Sequence, residues 1–212
     1  MIEEKRILGD LAYRGWFFSD EMTLNEFSVF YGKTTAQNST DEAYIDTYME
    51  SLVEKYSNYI KSTLYTRYPI RKDVLESAFN AHLRVEYNLS IPVFLAQADG
   101  IGSELFGGIS PFSRKQVASG IYITTQEINR LSALADTTLI EPLGQPIGLT
   151  AKTTSPERSQ HPDIYNRHEI LHGLAVDYGK KINSLKAISL LGYLATVVYD
   201  VVQEANNATS TP

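Results

Sequence analysis

The stretch DEAYIDTYMESLVEKYSNYIKSTL, residues 41–64, decides the fold. Tyr44, Ile45, Tyr48, Met49, Leu52, Val53, Tyr56 and Ile60 recur at spacings of three and four, which places them on one face of a helix, and Pro69 closes the segment. A helix over 41–64 with so broad an apolar face needs partners of the same kind, and the flanking sequence supplies them. Val74, Leu75, Ala78, Phe79 and Leu83 predict a helix over 72–86. Phe94, Leu95, Ala98, Ile101 and Leu105 predict another over 90–106, with Pro92 in its first turn and Gly107-Gly108 as its stop. Leu185, Ile188, Leu191, Leu194, Val198 and Val201 predict a last helix over 183–204, capped by Asn183 or Ser184. The expected fold class is all-α, an antiparallel helical bundle over 41–205.

The rest of the chain is read around that bundle. Residues 1–40 form an N-terminal extension. Residues 109–162, rich in Ser, Thr, Pro and Gly, form an irregular insertion whose one short helix opens on Thr124-x-x-Glu127, the pattern of a capping box. Residues 206–212 are a polar tail expected to fray.

Composition narrows the function classes. The chain of 212 residues contains no cysteine, so thiolate nucleophiles, thiolate metal sites and disulfides are excluded, which fits a reducing, cytoplasmic setting. Met1-Ile2-Glu3-Glu4-Lys5-Arg6 lacks the basic-then-apolar order of a signal peptide. The apolar stretch 185–202 is broken by Lys186, Ser189, Thr196 and Asp200, so it reads as a core helix and no membrane partner is expected. The net charge of −6 opposes indiscriminate nucleic-acid binding, yet all of it lies in residues 1–50, with ten acids and four bases. From Lys152 to Lys186 six bases outnumber four acids, a local cationic bias around residue 167.

The run Asn166-Arg167-His168-Glu169-Ile170-Leu171-His172-Gly173 carries the residues best suited to chemistry. Two readings overlap in it. His168-Glu169-x-x-His172 is the spacing that sets two imidazoles one turn apart on zinc with the glutamate as general base. A catalytic zinc needs a third protein ligand, but no histidine follows His172, and the acids downstream are Asp177, Asp200 and Glu204. Arg167-x-x-x-x-His172 pairs a guanidinium, which grips phosphate, with an imidazole that moves protons near neutral pH, a combination suited to phosphodiester chemistry without a metal. A structural role is open beside both: Arg167 pairing with Asp163 or Asp99, His172 capping carbonyls beside Gly173, and Gln97 and Asp99 acting as buried polar partners that fix helix register.

With Asp177-Tyr178-Gly179 and Asn183-Ser184-Leu185-Lys186-Ala187-Ile188 after it, the run resembles the C-terminal part of bacterial HEPN proteins (higher eukaryotes and prokaryotes nucleotide-binding), whose signature is Arg, four to six residues, then His. Arg71 to Phe79 and Tyr87-x-x-Ser90-Ile91-Pro92-x-x-Leu95-x-Gln97-x-Asp99-Gly100-Ile101 resemble the preceding helices of a HEPN-like group associated with phage defence and abortive infection. The resemblance covers residues 70–106 and 163–200. It implies a ribonuclease without cofactor or metal, acting on RNA as a homodimer, with an antitoxin or a neighbouring defence protein as partner. Arg167 and His172 are then the catalytic residues, and Asn166, His168, Gln97, Asp99 and Tyr178 support them or bind substrate. A catalytically silent HEPN module for dimerisation or nucleotide binding, and a zinc hydrolase built on His168-Glu169-x-x-His172, are the alternatives.

Overall fold

The computed structural model describes residues 2–22, 26, 42–113, 115–145, 147–150 and 165–210, and within these the fold is all-α, without strands. Helix α1 spans Ile2–Tyr13, α2 Glu42–Arg67, α3 Lys72–Leu83, α4 Tyr87–Leu105, α5 Ile123–Leu131 and α6 Arg167–Leu171. Helix α7, Lys181–Tyr193, runs through a π-helical segment, Leu194–Val198, into α8, Tyr199–Ser210. The four long helices fall where the apolar periodicity places them, with ends within three residues except the last, which continues to Ser210.

Helix α7 is the centre of the core. It packs against α2 and α4, and Leu185, Ala187, Ile188, Leu190 and Leu191 are all buried. The run Lys181–Thr209 is long and apolar enough to cross a membrane, but 83% of its most apolar window is buried against the other helices. It is a core helix.

The N-terminal segment, read from the sequence as an extension, shares that core. Trp16 is fully buried, its Nε1 donates to Asp46 Oδ1 at 2.7 Å, and the ammonium of Lys186 lies 5.3 Å from its ring centroid. Phe17 stacks at a tilt on Tyr193, 5.2 Å between centroids. The stretch read as an insertion likewise contributes Phe112, Ile128, Leu131, Ile140, Leu143, Ile147 and Leu149 to the same buried cluster.

Two helices lose a backbone donor, and a side chain replaces it each time. Helix α4 begins at Tyr87, five residues before Pro92, so the proline sits inside the helix and not in its first turn. Without an N–H, Pro92 cannot bond the carbonyl of Asn88 one turn back. The Tyr178 hydroxyl donates to that carbonyl instead, at 3.3 Å. In the π-helical segment the Tyr199 N–H goes to Leu194 and Thr196, and the carbonyl of Ala195 accepts from the Arg67 guanidinium, which also pairs with Asp200 at 3.0 Å. Nothing in the spacing of apolar residues signals this bulge.

Other expectations are corrected at helix ends. Thr124 is not the cap of α5: Tyr122 holds that position, Thr124 Oγ1 turns back to the carbonyl of Pro111 at 3.3 Å, and Glu127 pairs with Arg130. Helix α7 starts at Lys181, ahead of Asn183 and Ser184, because Asn183 Nδ2 donates to the Tyr178 carbonyl and Ser184 is buried. The tail read as frayed from 206 is helical through Ser210, and residues 211–212 lie outside the described residues.

Candidate functional site

Helix α6 is one and a half turns long, and both of its ends are specified locally. Asn166, in extended backbone at φ −123° and ψ 114°, caps it: Asn166 Oδ1 accepts from the Glu169 N–H at 3.1 Å. Its Nδ2 donates to the carbonyl of Gly148 at 3.3 Å, tying the cap to the turn Gly148–Thr150. At the other end Gly173 takes φ +69°, the left-handed conformation that closes a Schellman motif. Leu174 N–H then reaches the Glu169 carbonyl at 2.8 Å, and Gly173 N–H the Ile170 carbonyl at 3.2 Å. The sequence places the start of this short helix at Pro162, which lies outside the described residues.

Arg167 begins the helix and faces α4. Its guanidinium pairs with the Asp99 carboxylate and lies 5.4 Å from the ring centroid of Phe112. Asp99 Oδ1 also accepts from Ser110 Oγ at 2.6 Å, and the same Ser110 Oγ accepts from the Phe112 N–H at 3.3 Å. The side chains of Arg167 and Asp99 keep 19% and 31% exposure, so the pair lies at the edge of the core. Arg167 Nε is buried without a hydrogen-bond partner among the described residues. Segment 109–113 reaches this position because Gly102 admits it: a Cβ there would meet Pro111 Cγ at 2.4 Å. Ser110 and Phe112 were absent from the sequence-based site, since they sit in irregular chain where no periodicity points inward.

His168 and His172 are exposed, with ring centroids 4.3 Å apart and planes tilted by 52°. Residues four apart on a helix differ by about 40° around the axis, whereas Arg167 and His172, five apart, differ by about 140°. Within one chain the arginine is therefore turned to α4 and the histidine pair to solvent. Glu169, between them, is only 5% exposed.

Two expected members lie elsewhere. Gln97 Oε1 accepts from Arg71 Nη1 at 2.8 Å, and Arg71 also pairs with Glu104. Two residues apart on α4, Gln97 and Asp99 project about 200° from one another, so one helix cannot turn both toward Arg167. Tyr178 serves the Asn88 carbonyl, and Asn88 lies eleven residues, or about 16 Å, along α4 from Asp99. The site that the structure assembles is Arg167, Asp99, Ser110 and Phe112 on the inner face of α6, with His168 and His172 on the outer face and Asn166 beneath as a buried cap. Among the described residues no group of three His, Asp or Glu side chains is arranged to hold a metal. No family model, curated protein or solved structure matches this chain.

Proposed function

We propose that this chain is a metal-independent endoribonuclease of the HEPN class that acts as a homodimer, in keeping with a role in phage defence. The observation that supports the reading best is the pair of exposed imidazoles one residue and five residues after an arginine whose guanidinium is fixed by a carboxylate. In the proposed reaction His172 takes the proton of a ribose 2′-hydroxyl, and the 2′-oxygen attacks the adjacent phosphorus. The 5′-oxygen leaves with the proton that His172 has taken up, giving a 2′,3′-cyclic phosphate and a 5′-hydroxyl. Arg167 stabilises the charge that builds on the phosphoryl oxygens. Because Arg167 and His172 diverge around α6, one copy's arginine serves the histidine of the other, and a two-fold axis produces the two equivalent arrangements.

The Asp99 pair favours a second reading, the catalytically silent module. A guanidinium already neutralised by a carboxylate has less to offer a phosphate, and fold alone carries no activity. The zinc hydrolase reading draws less support, since a general base must stand beside the metal-bound water and Glu169 is buried.

Cleavage of RNA by the purified chain, with and without chelator, separates the three. The proposal expects cleavage unaffected by chelator and lowered about a hundredfold or more in Arg167→Ala and in His172→Ala, the usual worth of such groups. Activity that survives both substitutions overturns it. Absence of cleavage by the wild-type chain selects the silent module.

A further inference from the structure

We infer that His168 and His172 form a two-imidazole binding site for a divalent transition-metal ion, zinc in the first instance, on the exposed face of α6. The inference concerns an ion that the proposed reaction does not require, and it stands whether or not the chain cleaves RNA.

Three observations carry it. First, the two rings project from positions four apart, the spacing at which helix side chains meet, and their centroids are 4.3 Å apart. Two nitrogens on one tetrahedral zinc, each with a bond of about 2.0 Å, lie about 3.3 Å apart. The ring centroids must part to about 5 Å to reach that geometry, a side-chain adjustment at χ1 and χ2 that exposed residues can make. Second, that backbone is already held: Asn166 caps one end of α6, and the Schellman bonds from Gly173 and Leu174 close the other. The ion therefore meets two imidazoles on a fixed backbone and orders little chain. Third, both imidazoles are exposed, so the remaining coordination positions open to water, as in an incomplete zinc shell. Glu169 stays out of the shell because it is buried. The ligands are nitrogen only, which selects zinc, nickel or copper(II) over calcium and magnesium, whose sites are built from oxygen.

The consequence for the proposed reaction is inhibition. A lone pair of His172 held by zinc is unavailable to the 2′-hydroxyl proton.

Titration calorimetry of the intact chain with zinc in a non-chelating buffer tests the site directly. Saturable binding is expected. His168→Asn and His172→Asn should each weaken it at least tenfold, while His82→Asn, which alters a half-buried histidine on α3, should leave it unchanged. With copper(II) in place of zinc, electron paramagnetic resonance should show two equivalent nitrogen ligands in the wild-type chain and fewer in either variant. Circular dichroism of the variants verifies the fold, which exposed positions should leave intact. The inference is overturned if the wild-type chain shows no saturable binding, or if both α6 variants bind as it does. Neither result bears on the ribonuclease proposal, whose failure would appear instead as absence of cleavage in metal-free conditions.

Discussion

Asp99→Asn isolates the contact on which both leading functional readings turn. Asparagine keeps the shape of the side chain and an oxygen able to accept from Ser110 Oγ, but it removes the charge opposite Arg167. Removing one partner of a fully buried ion pair costs about 3–5 kcal/mol, and an exposed pair is worth about 0–1 kcal/mol. With 19% and 31% exposure the Arg167–Asp99 pair falls between these limits, and asparagine still offers a neutral acceptor. The expected loss is about 1–2 kcal/mol. For a chain of this size that lowers the melting temperature by about 2–8 °C. Arg167→Gln and the double substitution complete a cycle, whose coupling energy should be about 1–2 kcal/mol by urea denaturation. In the ribonuclease reading Asp99 only positions the arginine, so Asp99→Asn should lower cleavage less than Arg167→Ala does. A coupling energy within error of zero, with an unchanged melting temperature, would refute the ion pair and the account of how Arg167 is held.

Two further predictions concern stability. Val85 follows α3 at φ +64°, in the position that Gly173 occupies after α6, with the same pair of Schellman bonds from Val85 to His82 and from Glu86 to Ala81. A side chain in that conformation costs about 1–2 kcal/mol, glycine loses about 0.5–1 kcal/mol in chain entropy, and Val85 is largely exposed, so Val85→Gly should stabilise by about 0.5–1 kcal/mol. A lower urea midpoint in the variant would count against the assigned backbone conformation. His82 carries the second prediction: burial pushes its imidazole below the ordinary value, Lys181 adds to the effect, and Nδ1 is 2.8 Å from Ser184 Oγ. Since the folded value is depressed, the stabilising contribution is present above the unfolded value of about 6.5 and is lost as the pH falls below it. Wild-type chain should be less stable at pH 5.5 than at pH 7.5, and His82→Gln should narrow that difference; an equal difference in the variant would sink the assignment.

The helices were legible because burial of a helix leaves a period of three to four in the sequence, and 41–64, 72–86, 90–106 and 183–204 all carry it. What escaped is what periodicity does not encode. Trp16 docks from chain without a repeat, and Ser110 and Phe112 reach Arg167 through an irregular segment admitted by the absence of a side chain at Gly102. The spacing of His168, Glu169 and His172 was plain, but which face of α6 would be covered depended on docking against α4 and the turn Gly148–Thr150. That docking buries Glu169, the residue on which a zinc-hydrolase reading depends. The sequence did exclude one grouping that was proposed from it, since Gln97 and Asp99 are two apart and cannot share a helix face.

Pro92 shows how one residue can mislead about a boundary and still determine the site. Read as the start of a helix, it lies inside α4, and the carbonyl it leaves unbonded at Asn88 is the one that Tyr178 occupies. The chain leaving α6 is thereby anchored to the N-terminal turn of α4, while Arg167 at the beginning of α6 is anchored to Asp99, about three turns further along the same helix. Both flanks of α6 rest on one rigid element. A helix of five residues has little stability of its own, and fixing it at two separated points of α4 gives the exposed His168 and His172 a defined position. Exposed imidazoles on a pinned scaffold are the arrangement that either a proton transfer or a metal chelate requires, and here the carbonyl that a proline cannot satisfy supplies one of its two anchors.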